Sequence, residues 1–369
     1  MKILLVTQAY KDSFPPRNLS MGSAVKQAEQ LSRLHSVHVL TVGRKVILER
    51  PNKNLVIESV SGLLLPDPVN YIISLKLLFR FIGIAISYRP DIVLVSKFMF
   101  FSSLVVFLAR IMGLKVVTVT DTFPGINWFP RSRIVAAVMW LYARTVGLLV
   151  LRLSHKVILL YQDLDVIAKK YNLNYEVIPN GVEPVLLEKQ RLPSDIKKKN
   201  GEFWVGFVGR AESVKGYNIA LETAKRLEKI MEIKFIFIGG NQKEITRENK
   251  VFLGFRSDIY SIYQLLDCLI LPSFSEGLPN VVMESMAQGV PVIGSSVGGV
   301  KQLIENGKSG FLVPPGSVEQ LAKQIIYLRN HPKSATRMGE FAKSTIDDGF
   351  NWDKILIKYQ KLFTKICAE

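Results

Sequence analysis

Residues 268 to 294, CLILPSFSEGLPNVVMESMAQGVPVIG, read as strand, loop, helix and strand in direct succession. CLILPS is apolar and short enough for a buried parallel strand, and VPVIG after Gly289 has the same character. Pro279 suits a first helical turn and Gly289 a helix stop. Glu276 then falls in a strand-to-helix loop, and Glu284 about one turn into the helix. In open α/β sheets such loops are where ligands bind. The N–H groups at the start of the helix suit an anionic or hydroxyl-rich ligand. Either glutamate by itself could equally serve only to complement the helix dipole.

A second segment weighs against that plain reading. FWVGFVGRAESVKG, residues 203 to 216, reads as a buried strand, a glycine turn at Gly209, and Arg210 and Lys215 flanking a helix start. Two cations and a glycine at a strand's carboxyl end form a diphosphate cradle. The order is neither GxxxxGK[ST] nor GxGxxG. A lone Arg or Lys here would be solvated surface; the pair, with two glutamates, points to one site.

The rest of the chain repeats the α/β pattern. Strand candidates lie near residues 2–7, 37–42, 55–60, 91–95, 115–120, 156–160 and 175–178, then begin near 203, 234, 250, 268 and 290. That alternation predicts doubly wound parallel sheets. With 369 residues, two domains of ordinary size are expected. The boundary is expected between Glu183 and Gly201, where PVLLEKQRLPSDIKKKNG is polar, basic and proline-punctuated. MKILLVT reads as a first strand and not as a signal peptide, its apolar run being too short. Two cysteines, Cys268 and Cys367, supply neither a disulfide framework nor zinc spacing, so a reducing compartment is expected.

With these segments in view, the chain resembles the family 4 retaining glycosyltransferases of the GT-B fold. The resemblance rests on Gly209-Arg210 with Lys215-Gly216, Glu276-Gly277 with Glu284 in an E-x7-E element, and GVPVIGSSVGG from Gly289 to Gly299. VIPNGVE ending at Glu183 and GFLVPPG ending at Gly316 add to it. It covers nearly the whole chain and is densest in the second half. It implies an α/β fold of two doubly wound Rossmann-like domains facing across a cleft. Residues 1–185 would bind acceptor and 186–350 the nucleotide sugar, with a C-terminal helix near 351–369 packing back on the first domain. Implied too are retention of anomeric configuration and a hexosyl transfer needing no metal or other cofactor.

The resemblance also assigns roles. Arg210 and Lys215, with the free N–H groups of the turn formed by Gly277, Leu278, Pro279 and Asn280, would hold the donor's diphosphate. Glu284 would accept hydrogen bonds from the ribose, and Glu276 would face the sugar's hydroxyls. Phe255 either lies along the base or is a core phenylalanine. Two departures from the family stand out. SMGSAVKQAEQLSRL keeps only Gly22 where a glycine pair is usual, leaving one site of close backbone approach. KVVTVTDTFPG places Asp121 where a histidine is common; Asp121 either accepts a hydrogen bond or proton from the incoming hydroxyl or caps the following turn. Asp163-Leu164-Asp165 matches a metal-binding string, but it opens a helical stretch where aspartates suit the first turn. The four histidines, His35, His38, His155 and His331, form no ligand cluster in the sequence.

Charge narrows the partners. Of a net +17, residues 1 to 185 carry +11, with 22 Lys+Arg against 11 Asp+Glu. A basic first half calls for an anionic surface. Nucleic acid fits poorly, since no helix-turn-helix, zinc or RNA-binding signature is present and the basic residues are interleaved with apolar runs. RSRIVAAVMWLYARTVGLLVLRL, residues 131 to 153, nearly reaches spanning length, but Arg144 at its centre would cost roughly 2.5–3.5 kcal/mol. Either it lies flat on a membrane with its arginines at the headgroups, or it packs as a core helix. Residues 69 to 88 show the same mixture. The expected partners are therefore a nucleotide-sugar donor, a glycan or lipid-linked acceptor and an anionic membrane, at the cytoplasmic face of the cell membrane. A nucleotide-sugar epimerase or a non-catalytic nucleotide-sugar-binding protein remain alternatives.

Overall fold

The computed structural model describes residues 1–8, 23–65, 71–98, 101–124, 132–189, 191–240 and 245–369. Gly22 lies outside the described residues. The chain divides into two compact units, Met1–Pro179 with Leu356–Glu369, and Asn180–Ile355.

Among the described residues, the first unit contains ten strands. They are β1 (Lys2–Val6), β2 (Ser36–Gly43), β3 (Ile47–Asn52), β4 (Leu55–Ser61), β5 (Leu63–Leu65), β6 (Tyr71–Ile73), β7 (Ile92–Ser96), β8 (Val116–Thr120), β9 (Lys156–Leu159) and β10 (Tyr175–Val177). Eight of them form one sheet in the order β10-β9-β8-β7-β1-β2-β4-β3, while β5 and β6 pair separately. All neighbours run parallel except β3, which turns back along β4. Central strands such as IVLVS and VVTVT are buried at every residue, as helices on both faces require. β3, polar and largely exposed, closes the edge.

Its helices are α1 (Ser23–Leu31), α2 (Leu75–Tyr88), α3 (Val105–Ile111), α4 (Arg133–Arg144), α5 (Val146–Leu153) and α6 (Asp165–Lys170). The apolar run from 133 to 153 is broken at Thr145, whose φ of −110° and ψ of −93° leave the helical region. No residue of α4 is buried, whereas α5 buries Gly147, Val150 and Leu151. α4 packs on α5, α5 on α3, and α3 on α2, giving a continuous helical layer.

The second unit holds β11 (Phe203–Val208), β12 (Ile233–Ile238), β13 (Ile245–Arg247), β14 (Lys250–Gly254), β15 (Cys268–Leu271), β16 (Val292–Ser295) and β17 (Gly310–Val313). Their order is β13-β14-β12-β11-β15-β16-β17, parallel apart from β13. The helices are α7 (Tyr217–Arg226), α8 (Ile259–Tyr263), α9 (Asn280–Ala287), α10 (Val300–Leu303), α11 (Val318–Asn330) and α12 (Pro332–Phe350). Phe235, Ile270, Ile293 and Ile325 anchor a core between this sheet and its helices.

The final helix, α13 (Trp352–Ala368), belongs to the first unit from Leu356 onward. There the buried Tyr359 hydroxyl accepts a 2.6 Å hydrogen bond from Gln27 Nε2, and Phe363 packs on His35.

Candidate functional site

In the second unit, chain direction across the sheet reverses between β11 and β15. β11 continues through α7 to β12 on one side, while β15 lies on the other. Loops leaving the carboxyl ends of such strands are where a doubly wound sheet receives its ligand. The two motifs read from the sequence occupy these two loops: Gly209 to Gly216 follows β11, and Pro272 to Pro279 follows β15.

The loops touch backbone to backbone. Gly216, with φ 67°, ends a short 3-10 turn and begins α7. A Cβ there would stand 2.0 Å from the Pro272 carbonyl oxygen, so only glycine allows the approach. Phe274 N–H donates to the Val214 carbonyl at 2.9 Å and joins the loops. Lys215 is thereby carried to Glu276. Its Nζ lies 2.9 Å from both Oε1 and Oε2, and the wholly buried Ser273 hydroxyl donates to Oε1 at 2.7 Å. The Glu276 side chain is 8% exposed and that of Lys215 28%, so the pair faces solvent through the ammonium.

A glycine pair packs against the backbone that carries Glu276. Gly298, with φ 47°, would place a Cβ 2.0 Å from the Glu276 carbonyl oxygen, and Gly299 N–H donates to the Gly277 carbonyl at 2.8 Å. The motif running from Gly289 to Gly299 thus fixes the backbone that presents Glu276. Leu278 and Pro279 are buried beneath the turn. Pro279 is the N-cap of α9 and Asn280 its first residue; Gly289, with φ 75°, follows its end.

Glu284 stands in α9, where it accepts a 3.2 Å hydrogen bond from the Tyr263 hydroxyl at the end of α8. Tyr263 is wholly buried. That burial, reinforced by the Glu284 charge, pushes the phenol well above its ordinary range.

Arg210 is placed differently from its neighbour Lys215. Its guanidinium is 57% exposed and pairs with Glu212 at 2.9 Å. Phe255 follows Gly254 at the carboxyl end of β14 and is 49% exposed, so it is not a core phenylalanine. Arg256 beside it forks onto Asp195 at 2.6 and 3.0 Å and onto Asp258 at 2.8 and 2.7 Å. This clamp ties residues before β11 to the loop that carries Phe255, and the sequence reading missed it. Between β11, β12 and α7, a small pocket of about 30 Å³ is rimmed by Gly209, Ala211, Gly239 and Gly240, with Phe207, Tyr217, Phe237 and Phe252 beneath.

In the first unit, Asp121 follows β8 and pairs with Lys97, whose Nζ lies 3.5 Å from Oδ1. Lys97 carries no sequence motif; its position as the first residue after an apolar strand was the available signal. Asp163 and Asp165 open a helical segment. Lys169 binds Asp165 at 2.6 Å and holds its carboxyl below the usual range. Among the described residues no three His, Cys, Asp or Glu side chains converge as a metal site would need.

Two family models match the chain. That of the glycosyl transferases group 1 covers residues 188–345, and that of Glycosyltransferase Family 4 covers residues 23–186. The N-acetyl-alpha-D-glucosaminyl L-malate synthase of Bacillus anthracis is 30% identical over 128 residues, 34% of either chain. The UDP-Gal:alpha-D-GlcNAc-diphosphoundecaprenol alpha-1,3-galactosyltransferase of Escherichia coli is 26% identical over 210 residues, 52% of this chain and 54% of its own. The chain therefore spans between a third and just over half of the length of these curated relatives. HepE of Anabaena, solved in complex with UDP-glucose, matches with a TM-score of 0.75 at 19% identity, covering 99% of this chain and 100% of its own. That likeness concerns the fold. The two family models adjoin and leave only the ends of the chain outside them, and the chain belongs to the group 1 glycosyltransferases of the GT-B fold.

Proposed function

We propose that this protein transfers a glycosyl group from a nucleoside diphosphate sugar to an acceptor hydroxyl. The observation that carries the reading is the Lys215–Glu276 pair, held across the loops after β11 and β15 at the reversal point of the sheet. Lys215 offers its ammonium to the diphosphate, where charge gathers as the glycosidic bond breaks. Pre-placed groups of this kind are worth about 10²–10³ in turnover. Arg210, exposed on the same loop, adds a second cation, and the turn from Gly277 to Asn280 adds its amides. Glu276, fixed by Ser273 and Lys215, orients the sugar hydroxyls. Glu284, fixed by Tyr263, accepts the ribose hydroxyls, and Phe255 contacts the base. Asp121 accepts a hydrogen bond from the incoming acceptor.

The chemistry we assign is retaining. The bond from the anomeric carbon to the diphosphate oxygen breaks, and the bond to the acceptor oxygen forms on the same face. The acceptor's proton passes to the departing diphosphate. This assignment rests on family membership, as does independence from metal. The base we assign is uracil, because UDP appears in the name of the E. coli relative and in the HepE complex.

We also propose a lipid-linked acceptor reached from an anionic membrane at the cytoplasmic face. Supporting it, α2, α3, α4 and α5 carry Lys76, Arg80, Arg110, Arg133, Arg144 and Arg152 and not one Asp or Glu. Phe79, Ile86, Ile111, Ile134, Val138 and Leu141 stand exposed on these helices. Arg144 packs its guanidinium over the Trp140 ring at 4.1 Å, an arrangement suited to a headgroup layer.

A thermal-shift screen of uridine, guanosine and adenosine diphosphates tests the donor reading. UDP should raise the midpoint by several degrees. A protein shifted by none of the three would contradict it.

A further inference from the structure

Lys97 is the first residue after β7, at the carboxyl edge beside β1, where the strand order of the first unit reverses. Its backbone is left-handed, with φ 66°. Three other described non-glycine residues share that region, and each has a local reason. Arg89 caps α2, Asn172 follows α6, and Glu248 lies in the turn between β13 and β14. Lys97 caps no helix and turns no hairpin. Its N–H still donates to the Val119 carbonyl at 2.8 Å, so the chain turns sharply while its pairing with β8 is intact. A lysine in this conformation is strained where glycine would not be, and such outliers gather at functional sites.

The turn separates two side chains. Phe98 goes inward, wholly buried, and packs on Phe123 with ring centres 4.9 Å apart. Lys97 goes the other way, and its Nζ comes within 3.5 Å of Asp121 Oδ1. The two side chains remain 34% and 19% exposed, so the pair is open to a ligand. The Thr122 hydroxyl donates to the same Asp121 oxygen at 3.2 Å. Burial of Phe98 explains the turn but not the lysine, since a glycine would make the turn at less cost.

We infer that Lys97 is a positioning residue for the acceptor: its ammonium holds the Asp121 carboxylate in the orientation from which it accepts the hydrogen bond of the attacking hydroxyl. The inference deepens the transferase reading and rests on it. Lys97 acts through Asp121 and takes no part in holding the donor.

The test compares wild type with Lys97→Gly, Lys97→Arg, Asp121→Asn and the Lys97→Gly/Asp121→Asn pair. Three quantities are read: the thermal midpoint, the shift caused by UDP, and transfer of labelled sugar to a short-chain polyprenyl diphosphate bearing N-acetylglucosamine. Labelled UDP-glucose, UDP-galactose and UDP-N-acetylglucosamine serve as donors. Lys97→Gly should keep or raise the midpoint, because glycine relieves the backbone, and should keep the UDP shift. Its transfer should fall about tenfold or more, as the loss of one oriented hydrogen bond to a charged group implies. Lys97→Arg should recover most of that loss. The double variant should be no worse than Asp121→Asn, since residues acting through one another are non-additive.

Transfer by Lys97→Gly at the wild-type rate overturns the inference and leaves the transferase reading standing. A joint fall in midpoint and UDP shift also overturns it, marking Lys97 as structural. Wild type that neither responds to UDP nor transfers from any of the three donors removes the transferase reading, and this inference with it.

Discussion

Lys215 Nζ stands 2.9 Å from both carboxylate oxygens of Glu276, although the residues lie 61 positions apart in the chain. Neither element alone could produce the contact. It depends on Gly216 meeting the Pro272 carbonyl and on Gly298 meeting that of Glu276, two approaches that a single methyl group would block.

Lys215→Ala leaves a mostly buried carboxylate with Ser273 but without its cation. Loss of one partner of a buried pair costs about 3–5 kcal/mol when both are fully enclosed. Lys215 is 28% exposed, so a loss of about 1–3 kcal/mol is expected here. UDP affinity should fall by roughly tenfold to a hundredfold, as the loss of a charge-assisted contact worth about 1.5–3 kcal/mol implies. Calorimetric titration with UDP and thermal denaturation check the two effects separately.

Gly298→Ala, like Gly216→Ala, should be a damaging single methyl addition near the site. Its Cβ would fall 2.0 Å from the Glu276 carbonyl oxygen in a backbone with φ 47°. We expect a loss of about 2 kcal/mol or more by denaturant titration, from strain and overpacking together. The loop that presents Glu276 must shift, and UDP binding should weaken with it. Gly201→Ala is the control for backbone strain alone, since its φ is 84° but nothing stands within 4 Å.

Alkaline pH should unfold this protein early. Cys268 and Tyr263 are wholly buried, and burial pushes both pKa values well above their usual 9.0 and 10.0. The folded chain keeps protons that the unfolded chain releases, so stability is complete below these unfolded values and declines as pH rises beyond them. The thermal midpoint should hold until about pH 9 and then fall. Tyr263→Phe should make the fall beyond about pH 10 shallower, and by freeing Glu284 it should also weaken UDP binding. A midpoint unchanged through about pH 11 would contradict this.

The membrane reading is tested on α4, none of whose residues is buried. Ile134→Ser with Val138→Ser should leave the thermal midpoint unchanged, because both side chains already stand in water. The same pair should reduce sedimentation with vesicles containing anionic phospholipid by roughly tenfold, as the loss of about 1–2 kcal/mol of buried apolar area implies. Equal sedimentation of variant and wild type, or equal binding to neutral vesicles, would count against it.

The second unit was legible because its signals are local. β15, the Gly-Leu-Pro turn, α9 and Gly289 each read from their own residues, and Glu276 and Glu284 followed from them. The central strands of both units were equally plain, being unbroken apolar runs. β3 and β13 escaped because they are antiparallel edge strands with exposed, polar residues, and the four residues of β17 lie inside a glycine- and proline-bounded run. Arg210 and Lys215 looked like one cradle in sequence, yet Arg210 pairs with Glu212 and Lys215 with Glu276. Side-chain choices of that kind depend on what tertiary contact brings near. The Asp195–Arg256 clamp and the Lys97–Asp121 pair were invisible for the same reason, since both join residues on separate elements. Gly22 lies outside the described residues.

The most direct measurement is calorimetric titration of UDP into wild type and into Lys215→Ala, Glu284→Ala and Asp163→Ala. If a cation after β11 and a carboxylate in α9 grip the nucleotide, wild type binds UDP, the first two variants lose at least about tenfold, or roughly 1.4 kcal/mol, and Asp163→Ala binds as wild type does. Undiminished binding by Lys215→Ala and Glu284→Ala would contradict the account.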